Sequence, residues 1–186
     1  PIIDLHRLDV GKMSAQPDRV DVAAELKSCL DMLVFQFREH GADASFDIQP
    51  GAEHMWFDAD HLRQILINLI RNALEAGAKA IKVTVTKAGD GPYMRVADNG
   101  PGLPVSRQQC WWEPFTTYSP GPMKPRGDGM GLGLPISHRL ATLNRHRLDL
   151  IDSGPNGTVF QLAPETDRAP ELARRRGEAR PSQDPA

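Results

Sequence analysis

The sequence predicts an α+β fold: an α/β sandwich with a mixed, mostly antiparallel sheet covered on one face by helices. Three patterns point to it. Three segments carry apolar residues at helical spacing, several short segments alternate apolar and polar residues as strands do, and alternating segments meet in a tight turn of the hairpin type. Hairpin connections argue against a parallel, doubly wound sheet, and helices with one apolar stripe need a sheet face to cover.

The elements follow in order. Val20 to Val22 reads as a short strand. From Ala23 to His40, Leu26, Leu30, Leu33, Val34 and Phe37 lie on one side of a helix that Gly41 ends. "ASFDIQP" alternates as a strand. Asp58 is a good N-cap for the next helix, in which Leu62, Ile65, Leu66, Leu69, Ile70 and Ala73 form one stripe until Gly77. Ile81, Val83 and Val85 alternate with Lys82, Thr84 and Thr86, Gly89 to Gly91 makes a turn, and Tyr93 to Asp98 returns. Asn99 to Met130 is rich in Gly and Pro, and a loop that long in a compact domain is usually functional. Leu134 to Asn144 resumes helical spacing through Ile136, Leu140 and Leu143, and strands at His146 to Ile151 and Thr158 to Leu162 close the pattern. The segment after Pro164 has few apolar residues and many charges and prolines, which predicts disorder.

Composition limits the function. With 22 Lys and Arg against 24 Asp and Glu, the net charge of −2 over 186 residues shows no basic stripe, which argues against nucleic acid as the partner. Cys29 and Cys110 stand apart without metal-ligand spacing, so reduced thiols in an intracellular setting are expected. No apolar run approaches the roughly 20 residues of a bilayer span, and no signal peptide opens the chain, so a soluble piece is expected. The opening "PIIDLHRLDVGKM" reads like the last turns of a helix entering a linker.

Polar residues in apolar positions mark candidate chemistry. Asn68 and Asn72 lie four apart on the helix that follows Asp58, at the border of its stripe beside His61, Gln64 and Glu75. Two such amide oxygens suit a hard cation that keeps most of its waters, or else bond to neighbouring loops. Asp98 is in phase with Met94 and Val96, so a continuing strand would turn its carboxylate inward. There it needs hydrogen-bond donors, which a base with an exocyclic amine could supply. Alternatively "DNG" is a turn in which Asp98 bonds the backbone ahead of Gly100. Thr158 is likewise in phase with Phe160 and Leu162. Gly127, Gly129, Gly131 and Gly133 leave N–H groups open just before a helix, where the dipole and unpaired donors suit phosphate. The spacing matches neither a P-loop nor the dinucleotide fingerprint.

Taken together, "NLIRNALEAG" (Asn68 to Gly77), "DNGPGL" (Asp98 to Leu103), "EPFTT" (Glu113 to Thr117), "GDGMGLGL" (Gly127 to Leu134) and "GTVF" (Gly157 to Phe160) resemble, in order, the N, G1, F and G2 boxes and final strand of the catalytic ATP-binding domain of sensor histidine kinases. The resemblance covers about Val20 to Leu162. It implies the Bergerat ATP-binding fold, with ATP and Mg²⁺ as cofactors. Asn72 is similar in position to the Mg²⁺ ligand and Asn68 to its helper, which makes these two the expected catalytic pair. Asp98 matches the acid that accepts from the adenine amine, Gly100 and Gly102 shape the nucleotide's bed, and Thr158 matches a second adenine contact. Gly129 to Leu134, including Met130, Gly131, Leu132 and Gly133, match the phosphate loop. Phe115 matches the F-box aromatic under a lid over Thr116 to Met130.

There are departures from the family pattern. Many members place Lys where Glu75 stands, and Tyr118 follows "TT" where a nitrogen-sensor-like subgroup has Lys; Lys124, Arg126 or Arg71 are candidates for the missing cation. In the wider superfamily of gyrase-type and chaperone ATPases, the Asn68 position holds a Glu able to act as a general base, which an amide cannot do at neutral pH. Asn68 therefore favours a kinase over a free-standing ATPase.

The six histidines are followed by Arg7, Gly41, Met55, Leu62, Arg139 and Arg147, never by an acid as in a phosphoacceptor box. The resemblance thus implies residues 1–17 as the remnant of a dimerisation helix and linker, 18–163 as the catalytic domain and 164–186 as a tail. The expected role is to pass the γ-phosphoryl of ATP to a His on an absent dimerisation domain and then to a response-regulator Asp. The fragment is expected to be cytoplasmic and monomeric, without nucleic acid or a membrane segment. The other reading is a degenerate, non-catalytic module of the same fold that recruits a partner.

Overall fold

The computed structural model describes residues 14–89, 91–114 and 131–165. The elements are β1 (Asp18–Asp21), α1 (Val22–Met32), α2 (Val34–His40), β2 (Asp43–Ile48), β3 (His54–Phe57), α3 (Ala59–Glu75), β4 (Ala80–Ala88), β5 (Gly91–Asp98), α4 (Val105–Gln108), α5 (Gly133–Leu143), β6 (His146–Gly154) and β7 (Gly157–Pro164). Phe115, Gly129 and Met130, the lid segment, the opening thirteen residues and 166–186 lie outside the described residues.

Five strands form one sheet in the order β2-β4-β5-β7-β6. The β2–β4 pair is parallel and the other pairs are antiparallel, as a mixed, mostly antiparallel sheet requires. Alternation decides its two faces. Ile81, Val83, Val85, Met94, Val96, Leu148, Phe160 and Leu162 point into the core, while Lys82 and Arg95 face solvent.

Helix α3 covers the inner face with seven buried residues, Leu62, Ile65, Leu66, Leu69, Ile70, Ala73 and Leu74. Asp58 starts it as the sequence suggests: its Oδ1 accepts from the Asp60 and His61 N–H groups at 3.1 Å each. Burying a large apolar side chain contributes about 1.5–3 kcal/mol. The Arg63 bridges to Glu25 (2.8 Å) and Asp60 (2.9 Å) are partly exposed and contribute about 0–1 kcal/mol each. The stripe therefore fixes α3 on the sheet; the Glu25 pair only trims its position against α1, and the Asp60 pair lies within α3.

Three expectations are corrected. Val22 belongs to α1, because Asp21 caps that helix by accepting from the Ala24 N–H at 3.0 Å. The long helix is two: at Leu33 (φ −100°, ψ 6°) the chain turns, drives Leu33 into the core and leaves Val34 37% exposed. Strand β3 escaped notice because only Met55 and Phe57 of its four residues are buried, and Trp56 faces out; it pairs with β1 through Val20 and Met55. The loop after Asn99 also holds the one-turn helix α4.

Candidate functional site

Asp98 ends β5 opposite Ile81, on the inward side of the sheet. The inward strand phase and the turn to Gly100 occur together. The carboxylate is half-buried, and its Oδ1 accepts from the Gly100 N–H at 2.7 Å; the Thr158 N–H also bonds to it. Desolvation raises its pKa above the usual carboxylate value, and the two main-chain N–H groups offset only part of that. Among the described residues no cation pairs with it.

The backbone closes tightly around this acid. Gly157 has φ +133°, and a Cβ there would run into the Asp98 carbonyl oxygen. Gly102 has φ +77° and lies against the Gly154 main chain, where a Cβ would be 2.8 Å from the nitrogen. Only glycine fits either place. Thr158 is buried, as its phase predicts. A bulge at Leu150/Asp152 in β6 sets Ser153 opposite Thr158, with their hydroxyl oxygens 3.5 Å apart. Ser153 Oγ accepts from the Leu103 N–H at 2.6 Å, and Gln108 Nε2 donates to the Leu103 oxygen (3.0 Å) and the Ser153 oxygen (3.1 Å). Helix α4 therefore clips the loop after Asp98 onto β6. Nothing in the sequence pattern singled out Ser153 or Gln108, since both bonds depend on chain segments 45 to 50 residues apart.

At the other end, Asn68 and Asn72 of α3 face the amino end of α5. Asn68 Nδ2 donates to the Gly133 oxygen at 3.1 Å and to Ser137 Oγ at 3.2 Å. The expected alternative, bonding to a neighbouring segment, thus describes one end of the Asn68 amide. Asn72 Nδ2 is buried without a hydrogen-bond partner among the described residues, 3.8 Å from where a Cβ of Gly133 would stand. Among the described residues no side chain caps α5, so the Gly133 and Leu134 N–H groups of its first turn are left for another acceptor. Gly131 adopts φ +68°, and the Leu132 and Leu134 side chains are buried, so what these two offer a ligand is main chain. The buried stripe of α5 runs through Leu134, Ser137, Leu140 and Ala141; Ile136 and Leu143, expected to lead it, are only partly buried. Arg71 lies 3.4 Å from Glu75 in an exposed pair one turn along α3.

Among the described residues no group of three or more His, Cys, Asp or Glu could hold a metal. A hard cation here would depend on amide oxygens together with its ligand's own oxygens. Asn72 fits that need: its Nδ2 is buried and, among the described residues, no partner fixes which end of the amide faces outward.

The fold thus positions two groups of residues: an acceptor among closely packed glycines at the end of β5, and two amides facing the amino end of α5. Residues 57–168 match the family model described as histidine kinase-, DNA gyrase B- and HSP90-like ATPase. The chain belongs to that family, and within it is an ATP-binding catalytic domain of the sensor histidine kinase type. It is 32% identical over 170 residues to the signal transduction histidine-protein kinase AfsQ2 of Streptomyces coelicolor, covering 91% of this chain and 30% of that protein. It is 36% identical over 156 residues to the C4-dicarboxylate transport sensor protein DctB of Rhizobium meliloti, covering 82% of this chain and 24% of that protein. The chain spans less than a third of the length of either relative. Its fold matches the catalytic domain of histidine kinase ThkA with a TM-score of 0.65 at 22% identity, over 81% of this chain and 97% of that one. It also matches full-length ShkA in complex with AMPPNP, with a TM-score of 0.70 at 24% identity, over 86% of this chain and 33% of that one.

Proposed function

We propose that this domain holds Mg²⁺-ATP and presents the γ-phosphoryl to a His on a dimerisation domain of the same protein, from which it passes to a response-regulator Asp. The observation that carries the reading is Asp98: a half-buried, desolvated carboxylate bonded by two main-chain N–H groups and unpaired with any cation among the described residues. A ligand N–H donor, such as the exocyclic amine of adenine, relieves that desolvation. Thr158 and the beds at Gly100 and Gly102 lie beside the base. The α5 amino end, with Gly131, Gly133 and the main chain of Leu132 and Leu134, faces the phosphates, and Asn72 with Asn68 faces the metal.

Bound Mg²⁺ supplies charge neutralisation at the phosphate oxygens. The protein's own contribution is placement. Asp98 fixes the base, α5 orients the chain of phosphates, and the Asn68 amide, which cannot take a proton from water, leaves the phosphoryl for an imidazole brought in line. The catalytic unit extends over about 18–163, which the span from β1 to β7 supports. The domain works as a monomer on the cytoplasmic side, where ATP and the regulator are found. No helix among the described residues is long and apolar enough to cross a membrane.

Calorimetric titration with a non-hydrolysable ATP analogue, with and without Mg²⁺, tests this. Micromolar to submillimolar binding, tighter with Mg²⁺, is expected. Absence of binding at millimolar analogue overturns it. Phosphotransfer to a separately supplied dimerisation domain then separates a kinase from a module that only binds.

A further inference from the structure

We propose that Ser137, a residue no motif singles out, is a positioning residue for the metal end of the cleft: it locks the Asn68 amide so that its oxygen faces the nucleotide's cation. The metal half of this inference rests on the nucleotide reading above.

Ser137 is fully buried on the apolar stripe of α5, between Leu134 and Leu140. A hydroxyl there is costly unless it is bonded. Its bond is to Asn68 Nδ2 at 3.2 Å, and the same nitrogen donates to the Gly133 oxygen at 3.1 Å. A side-chain amide nitrogen carries two hydrogens, so both are spent on α5. The Gly133 carbonyl can only accept, which identifies the end of the amide facing α5 as the nitrogen. Two separate anchors also fix the plane of the group, whereas one anchor would leave it free to swing. Asn68 Oδ1 is thereby turned away from α5 with no protein partner among the described residues. It shares the helix face of Asn72, one turn further along, whose Nδ2 is buried with no partner among the described residues. Asn68 therefore serves two purposes: its nitrogen holds the α5 amino end against α3, and its oxygen is oriented as a fixed acceptor for a metal or its water. Ser137 couples the two.

The test compares Ser137→Ala, Ser137→Thr and wild type in the full 186-residue chain. Two quantities are read: the ratio of ATP-analogue affinities with and without Mg²⁺, and the solvent exchange of the Asn68 side-chain NH₂ protons by NMR in the nucleotide-free protein. Ser137→Ala lowers the Mg²⁺ ratio about three- to tenfold, the worth of one net hydrogen bond, and speeds Asn68 NH₂ exchange by about the same factor, while Mg²⁺-free affinity changes less than about twofold. Ser137→Thr keeps both wild-type values. In an Asn68→Ala background, Ser137→Ala has no further effect on the ratio, and this cycle serves if the Thr methyl proves too large to fold. Equal loss with and without Mg²⁺, or an unchanged ratio and exchange in a folded Ala variant, overturns the inference. Failure of the wild type to bind ATP at all overturns the nucleotide reading together with the metal half of this one. The NH₂ exchange still decides whether Ser137 positions Asn68.

Discussion

The Gly100 N–H donates to Asp98 Oδ1 at 2.7 Å, folding the loop after β5 back onto the acid two residues earlier. Together with the Thr158 N–H it holds the half-buried carboxylate, which is therefore oriented before any ligand arrives.

Asp98→Asn keeps one oxygen for the main-chain N–H groups of Gly100 and Thr158 but replaces the other with an NH₂ donor, which removes the acceptor proposed for the adenine amine. A hydrogen bond to a charged group is worth about 1.5–3 kcal/mol, so ATP-analogue affinity should fall about 10- to 100-fold by calorimetry. The ligand-free variant should melt close to wild type, since removal of the desolvated charge offsets weakening of the main-chain hydrogen bonds. A large loss of stability with affinity retained would contradict the role given to Asp98.

The same acid predicts a pH dependence. Its folded pKa is raised above the unfolded value of 3.8, chiefly by desolvation, so its stability contribution is present below 3.8 and is lost as pH rises through the folded pKa. Ligand binding has the opposite sign because it needs the ionised form. Affinity for the ATP analogue should therefore drop as the pH is lowered through that folded value, and Asp98→Asn should flatten this part of the profile.

His146 acts on the acid side of stability. Burial lowers its pKa below 6.5, and its Nδ1 bonds to the Asn144 oxygen at 2.8 Å. With the folded value depressed, its contribution is present above 6.5 and is lost as pH falls through the folded pKa. Urea melts of wild type should show this decline, and His146→Gln, which does not titrate, should lack that component.

Asn144 ties the start of α3 to the end of α5: its Oδ1 accepts from the Asp58 N–H at 2.8 Å and its Nδ2 donates to the Leu140 oxygen at 2.8 Å. Asn144→Ala leaves the part-buried Asp58 N–H unpaired and should cost about 1–2 kcal/mol in a denaturant titration. A loss under about 0.5 kcal/mol would show that water replaces the side chain.

Gly157→Ala should be among the most damaging single changes. Its Cβ would meet the Asp98 carbonyl oxygen at a φ of +133° that alanine resists. A cost of about 2–3 kcal/mol, or failure to fold, is expected in thermal melts, with nucleotide affinity falling alongside because β7 and the end of β5 must part.

The sequence by itself determined the layers and most elements, since alternation at Ile81 to Val85 and the 3.6-residue stripe of α3 each report a face locally. It also determined that Asp98 and Thr158 point inward, because strand phase is a two-residue property. The break at Leu33, the outward Trp56 and the true stripe of α5 were decided by tertiary packing. Ser137 interrupts the apolar period of α5 and is paired only by an asparagine 69 residues away. Whether an inward hydroxyl or amide is bonded, and to what, depends on which distant backbone arrives beside it, and no local period encodes that.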